Sequence, residues 1–481
     1  MMEHGKMLRN AFFCLTLVCW TISGLAQPND RTPTADLFAW LMNRDESARN
    51  RAAELLAERG DTSMAPAFIE SLRFLPATRG WHQAMTKLTG ESLGDDWNVW
   101  MEWLGQNQVA LHPDYLPFKL AVLERIDPAF KQFFPPDGPM LIRPDLIVWG
   151  GVKVDGIPAL TRPPMIPASD ATFLEDDEPV FGIQLNGDAR AYPLRIMDWH
   201  EMLNDVIGGI PVSLAYCTLC GSAILFKTRT DDTVFTFGSS GLLYESNKLM
   251  YDHQTKSLWS TLQGTPVVGR LAGPDLVPID PEKFGVDPEK FGVDRDLVGA
   301  GKGIELERLP VVRASWKQWR TTHPATSVLD RETGHQRDYS PGAAYGRYFD
   351  SDDLMFPVSR INKSLKAKEW VFGSLISGSP KAYPLKLLAR SPVLNDSTAG
   401  KDVVVLSDER TLAVRMYERG RQFFVRQDGS WLVDRGGQRW RIGEENLEHE
   451  STGERLARLG GHLAYWFGWY AAFPDTGVFG Q

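Results

Sequence analysis

Between residues 33 and 130 the apolar positions recur at spacings of three and four. "ADLFAWLMNRDESARNRAAELLAERGD", "PAFIESLRFL" and "DDWNVWMEWLGQN" each gather them on one face, which predicts amphipathic helices. Gly-Asp and Pro break the pattern into short helices, so stacked helical hairpins of the HEAT type are predicted over 33–130. From about residue 145 the period changes. Short apolar runs alternate with Gly, Pro and Asn-Asp turns, which predicts strands. The expected fold class is α+β, an all-helical HEAT-like N-terminal domain followed by a β-rich, internally duplicated one.

The duplication is read from an ungapped offset. "VFGIQLNGDARAYPLRIM" at 180–197 matches "VFGSLISGSPKAYPLKLL" at 371–388, 191 residues later. The same offset pairs Tyr192 with Tyr383, Pro193 with Pro384 and Asn204-Asp205 with Asn395-Asp396. "WKQWRTTHPATSV" at 316–328 and "WFGWYAAFPDTGV" at 466–478 share a closing pattern. Two units are therefore expected, at 145–330 and 331–481. Positions kept in both should serve the fold, and positions that differ are where function can have been added. Cys217 and Cys220 fall opposite Asp408 and Thr411, and Trp199-His200 opposite Arg390-Ser391.

The N-terminus sets the expected compartment. Lys6 and Arg9 precede the apolar run Ala11 to Ile22, and Gly24-Leu25-Ala26 offers a small-x-small cleavage site. That build predicts a signal peptide over 1–26, cleaved near Ala26, and an exported, periplasmic protein. The run is shorter than the ~20 residues a membrane span needs, so no span is expected in the mature chain. A net charge of −9, with no basic run interleaved with aromatics, argues against nucleic acid as a partner.

Export sharpens the cysteine count. Of four cysteines, Cys14 and Cys19 lie in the predicted signal, leaving Cys217 and Cys220 in "SLAYCTLCGSAI". One C-x-x-C cannot scaffold a fold, so three uses remain open: a redox pair, a metal site and inert buried thiols. A redox pair requires no cofactor. A metal site for Cu(I) or zinc would need Cys217 and Cys220 joined by His200, His253 or Met250. "GSAILFKT" reads as a strand and not a helix, which puts the pair on a strand-to-strand turn with Gly221. Thiolate stabilisation then falls to His200, Arg190, Arg195 or turn amides, with Glu201 orienting His200. "FGSSGLLYESNKLMYDHQTKSLWS" (237–260) is dense in polar and aromatic residues of the kind that line pockets. It is read with turns at Ser239–Gly241 and Asp252–Thr255. Trp199, Glu201, Tyr216, Ser240, Tyr244, Asn247 and Asp252 are the candidate pocket residues.

"HEMLNDVIGGIPVSLAYCTLCGSAILF" and "FGSSGLLYESNKLMYDHQTKSLWS" resemble the DUF3179 family, over roughly 145–475. Its members carry close versions of WHE-x-x-ND, YC-x-x-CG-x-A and SGLLY-x-S-x-x-x-MYD-x-x-T-x-SLW. The resemblance brings no established activity. Some members are selenoproteins, with selenocysteine replacing a cysteine of the C-x-x-C, which implies redox reactivity at Cys217 and Cys220. This chain departs from the pattern at Thr218, where proline is common, and at His253, where arginine is common. The expected function is thiol–disulfide chemistry with Cys217, Cys220 and His200 as catalytic residues. A metal-binding module and a partner-binding scaffold built on the helical domain are the alternatives. The partner is expected to be a thiol, a disulfide or a metal donor. The tandem "DPEKFGV" at 280–293 reads as a lengthened surface loop.

Overall fold

The computed structural model describes residues 27–136, 138–230, 233–272 and 303–481. The predicted signal peptide and the tandem "DPEKFGV" lie outside them. Six α-helices occupy the predicted helical region, from Thr34–Leu41 to Tyr115–Ile126. Their ends follow local chemistry. Asp45, Thr78 and Asp96 accept backbone N–H groups as N-caps, and Gly60 and Gly90 close two helices at φ +70 and +79. Beyond residue 145 the described residues hold far more strand than helix. Among the described residues no helix is long and apolar enough to cross a membrane.

The helices do not stand apart from the strands. Phe74 stacks on Trp149 at 6.3 Å, Phe133 meets Tyr251 at 5.0 Å, and Asp127 accepts the N–H of Val154. One core runs from Leu37 and Phe68 through Trp100 and Phe133 to Leu242, Cys217 and Cys220. The helical layer thus forms one wall of the interior that holds both cysteines.

Strand bounds recur at the offset read from the sequence. Pro179–Leu185 and Asp188–Pro193 form a hairpin, as do Trp370–Ile376 and Ser379–Pro384. Met202–Ile207, Ile210–Cys217 and Ser222–Lys227 correspond to Val393–Thr398, Lys401–Asp408 and Ala413–Glu418. The polar bonds recur too. Tyr192 OH donates to Asp205 at 2.9 Å and Tyr383 OH to Asp396 at 2.8 Å. Asn204 bonds both the N–H and the C=O of Phe237, and Asn395 does the same to Phe424. In the second half this bond joins the first and last strands of an eight-stranded sheet into a nearly closed barrel. Each half ends in a short helix, Trp316–Thr322 or Trp466–Ala472. The indole N–H of Trp319 reaches Thr326 at 2.9 Å, and that of Trp469 reaches Thr476 at 2.9 Å.

Those tryptophans explain two glycines. A Cβ on Gly182 would lie 2.3 Å from the Trp319 ring, and one on Gly373 2.1 Å from the Trp469 ring. Gly182→Ala and Gly373→Ala should each cost about 1–3 kcal/mol through overpacking. Urea unfolding of the two variants checks this, and a midpoint unchanged in either would contradict the equivalence of the two sites.

Candidate functional site

The strand Ile210–Cys217 pairs with Ser222–Lys227, and Cys217 stands opposite Ser222. The residues between them, Thr218 to Gly221, form a tight strand-to-strand turn as the strand pattern predicts, with Cys217 at its entry and Cys220 within it. Gly221 takes φ +62, a conformation glycine adopts without strain. A Cβ there would also lie 2.5 Å from the Trp370 ring. Two groups clasp the turn and a third holds the Glu201 carboxylate beneath it. Tyr348 OH donates to Leu219 O at 2.7 Å, Tyr465 N–H donates to Cys220 O at 2.7 Å, and Tyr345 OH donates to Glu201 Oε1 at 3.0 Å.

Both thiols are free and buried, Cys217 at 1% and Cys220 at 0% exposure. Asn247 Nδ2 donates to Cys220 Sγ at 3.4 Å, and Ser246 O lies 3.4 Å from the same sulfur as an acceptor. The helix Trp466–Ala472 packs on it through Gly468, where a Cβ would come within 3.0 Å of Sγ. The halves exchange this contact. Gln318, on the first closing helix, donates to Asp408 at 3.4 Å, at the second unit's equivalent turn. Cys220 needs a glycine opposite it because its sulfur fills the space that a side chain would take.

A buried ion pair lies beneath the turn. Glu201 ends the helix Leu194–His200 with its N–H on Met197 O, and takes the left-handed φ of +55. Its Oε1 also accepts Thr218 Oγ1–H at 2.9 Å. Lys248 Nζ donates to Glu201 O at 2.8 Å and Tyr216 O at 2.9 Å, and lies 3.6 Å from Glu201 Oε2. Burial pushes the Cys217 thiol up. The Cys220 thiol, the backbone N–H of Lys248 and the Lys248 ammonium outweigh it and hold Cys217 below the usual thiol value, against the opposing charge of Glu201. Burial and the neighbouring Cys217 push Cys220 well up. Of the two sulfurs, Cys217 is therefore the one whose surroundings favour the thiolate.

Backbone strain gathers here. Glu245 and Ser246 form the turn between Phe237–Tyr244 and Asn247–Asp252 at φ +52 and +57, where hairpins usually carry Asn-Gly. With Glu201 this makes three non-glycine left-handed residues beside the sulfurs, each costing about 1–3 kcal/mol, and such strain clusters at functional sites. The Glu245 carboxylate is buried and accepts the Ser359 N–H at 2.7 Å and the Ser359 hydroxyl. A cavity of ≈110 Å³ runs alongside, lined by Tyr244, Glu245, Asn247, Gln263, Gly468 and Ala472 among others.

With this geometry in place, sequence comparison decides the family. The DUF3179 family model, described as a protein of unknown function, matches residues 154–283 and 292–476. The chain belongs to the DUF3179 family. The match takes in the C-x-x-C turn, the Glu201–Lys248 pair and Gly468, and leaves the helical layer outside. No curated protein and no solved structure matches the chain.

In this DUF3179 chain the predicted site residues divide. Cys217, Cys220, Glu201, Asn247 and the backbone of Tyr216 meet at the turn, and Tyr244 lines the adjoining cavity. His200 does not aim at the sulfurs. Its Nδ1–H donates to Pro158 O at 2.8 Å and its Nε2 accepts from Tyr339 OH at 2.6 Å, an assignment set by the acceptor-only carbonyl. Trp199 Nε1 donates to Asp338 O. Ser239–Gly241 is not the turn expected. It lies within the strand Phe237–Tyr244, where Ser240 Oγ donates to Leu249 O at 2.6 Å, and the turn falls at Glu245–Ser246. The run alternates correctly for a strand, but its serines and glycine imitate turn chemistry. Asp252 does make a turn, accepting from Thr255, Ser257 and Trp259 Nε1, and Asp434 repeats the tryptophan contact with Trp440. Asp252 therefore serves the fold.

The other proposed ligands and thiolate partners are engaged elsewhere. Met250 packs with Met202, Ile224 and Trp259 in a separate core, and His253 bonds Thr236. Arg190 pairs with Asp188 and Asp205, and Arg195 with Glu178. Among the described residues no group of three or more His, Cys, Asp and Glu side chains is placed to hold a metal ion. Lys248, Tyr345, Tyr348 and Gly468 were not foreseen. Lys248 carried a signal, being one lysine in "NKLMYD", a strand buried at every position.

Burial pushes His200 down to about 4, against the hydrogen bond it donates to Pro158 O. It is therefore neutral in the folded protein. Its folded pKa is depressed, so its contribution to stability is present above pH 6.5 and lost as pH falls towards 4. Unfolding of His200→Asn should show a flatter pH dependence across that window. An unchanged slope would contradict the assignment.

Proposed function

We propose that this DUF3179 protein is exported and carries out thiol–disulfide redox chemistry at Cys217 and Cys220. Cycling the pair passes two electrons to an oxidant, either a disulfide or a peroxide. One thiolate attacks, a sulfur-linked intermediate forms, and the second cysteine resolves it into the Cys217–Cys220 disulfide. A dithiol reductant returns the pair to its starting state. The single observation that carries this reading is the charge arrangement at the turn. A buried ammonium, a backbone N–H and the neighbouring thiol all favour a thiolate at Cys217. Inert core thiols need none of these, and nucleophilic cysteines depend on them.

In the same reading the two β-rich halves are copies of one unit, the second having Asp408 and Thr411 where the first has its cysteines. The helical layer is HEAT-like and shields the pair. A metal module is disfavoured by the donors at hand, since both His200 nitrogens are occupied and Met250 faces another core.

The test is a joint measurement of metal and free thiols on mature protein purified without chelator or added reductant. The reading expects no stoichiometric metal and two thiols that come and go reversibly with the potential of a glutathione buffer. About one metal per chain, lost in Cys217→Ser, would overturn it.

A further inference from the structure

The cavity beside Cys220 bears on what the pair reacts with. Neither sulfur is open to a macromolecule, since Cys217 and Cys220 are 1% and 0% exposed. From residues 331–481, Tyr348 and Tyr465 clasp the turn and Tyr345 holds the Glu201 carboxylate beneath it. Thiol–disulfide exchange requires the attacking sulfur to reach a disulfide sulfur directly, so access decides the rate. A protein disulfide cannot approach either thiol in this structure.

A small molecule has a nearer station. The cavity of ≈110 Å³ has Asn247 and Gly468 in its wall. Asn247 Nδ2 donates to Cys220 Sγ, and Gly468 leaves its side-chain position to the same sulfur. The cavity floor is therefore one residue thick over Cys220. Its volume is that of roughly three or four waters. Tyr244, Glu245, Gln263 and Arg360 give the wall polar groups, and Leu249, Leu262 and Val267 give it apolar ones. Hydrogen peroxide or a short alkyl hydroperoxide matches that size and mixed polarity. Oxidised glutathione is several times too large.

We propose that the oxidant of this pair is a small hydroperoxide reaching Cys220 through this cavity. The inference rests on the redox reading above and narrows its substrate. The reacting form of the pair carries one proton between its two sulfurs. With that proton on Cys217, Cys220 is the thiolate, lying behind the cavity wall of Asn247 and Gly468, which must part to admit the peroxide. Cys220 Sγ attacks the terminal peroxide oxygen, an S–O bond forms and the O–O bond breaks. The leaving alkoxide takes the proton from Cys217 and departs as the alcohol. The Cys217 thiolate then attacks the Cys220 sulfenic acid and expels hydroxide, leaving the disulfide. One hydroperoxide and one singly protonated pair give one alcohol, one hydroxide and one disulfide. The sulfurs are oxidised by two electrons and the peroxide is reduced by two. A dithiol small enough to enter would complete the cycle.

The experiment uses the full mature chain, reduced and freed of reductant. It is mixed separately with hydrogen peroxide, tert-butyl hydroperoxide, oxidised glutathione and insulin, and loss of free thiols is followed. The expected result is loss of both thiols to one equivalent of hydrogen peroxide, at least about tenfold faster than to oxidised glutathione, with insulin disulfides left intact. Oxidised glutathione or insulin reacting as fast as peroxide would overturn the inference and leave the redox reading standing. A pair that no oxidant converts would sink the redox reading itself. Ala472→Leu tests the route, because it fills the cavity without touching either sulfur. Its rate with tert-butyl hydroperoxide should fall several-fold, more than its rate with hydrogen peroxide. An unchanged rate would overturn entry through this cavity. Gln263→Phe at the same wall serves if that variant does not fold.

Discussion

Lys248→Met is expected to raise the Cys217 thiol and slow its chemistry at neutral pH. The ammonium is buried, and burial lowers its own pKa while Glu201 and the two sulfurs hold it up. Removing it takes away a charge that favours the thiolate and leaves Glu201, 7% exposed, without its counter-ion. Each unit of upward shift in Cys217 removes about tenfold of the thiolate present at a pH below its pKa. Leaving one member of a buried pair uncompensated costs about 3–5 kcal/mol, so the variant should also unfold earlier in urea. Stability loss alone would not distinguish a structural lysine from one that positions the thiolate. The thiolate's ultraviolet absorbance, followed against pH, makes the distinction, because it requires no reagent to enter. Glu201→Gln supplies the opposite sign. The Glu201 charge opposes the Cys217 thiolate, so its removal should move that titration downward. If both variants shift the curve in the same direction, the electrostatic account of the turn is wrong.

The contrast between Lys248 and His200 marks the limit of legibility in the chain. The helices, the strand periods, the 191-residue offset and the turn that holds the cysteines follow from local pattern, and each has its counterpart in the structure. The cysteine pair is legible as the one C-x-x-C outside the predicted signal, at positions where the 191-residue offset places Asp408 and Thr411. Residue chemistry alone points to His200 as its partner, because histidine titrates near neutral pH. Both residues end the same helix, yet the left-handed φ of Glu201 turns its carboxylate to Thr218 and Tyr345, while the His200 ring is held by Pro158 and Tyr339. Sequence adjacency could not reveal that divergence. Lys248 comes from a strand 31 residues after Cys217, and Gly468 from a helix 248 residues after Cys220. Their roles depend on how the halves pack, and no spacing within either motif encodes that packing. The same holds for Ser240. Its serine-glycine context imitates a turn, but its register is set by pairing with Asn247–Asp252.

Gly221→Ala tests whether the second half holds the turn in place. Two costs add at this position. The φ of +62 penalises any Cβ by about 1–2 kcal/mol. The new methyl would also lie 2.5 Å from the Trp370 ring, and relieving such a contact costs about 1–3 kcal/mol more. Trp370 packs on Tyr465 at 4.3 Å, and the Tyr465 N–H holds Cys220 O. Displacing the ring should therefore loosen the clasp as well as strain the turn. Gly187→Ala is the control, since it sits in a hairpin at φ +80 with nothing within 4 Å of the added Cβ. It should lose the strain component alone. The expected result is a larger drop in urea midpoint for Gly221→Ala than for Gly187→Ala, together with faster labelling of Cys217 and Cys220 by a thiol reagent in the first variant only. Equal midpoints would mean that Trp370 yields freely and the halves are not rigidly coupled at the turn. Faster labelling in both would mean that the sulfurs are shielded by global stability, with no specific part played by Trp370 and Tyr465. If the expected pattern holds, residues 331–481 cover the dithiol through Trp370 and Tyr465, even though they carry no cysteines of their own.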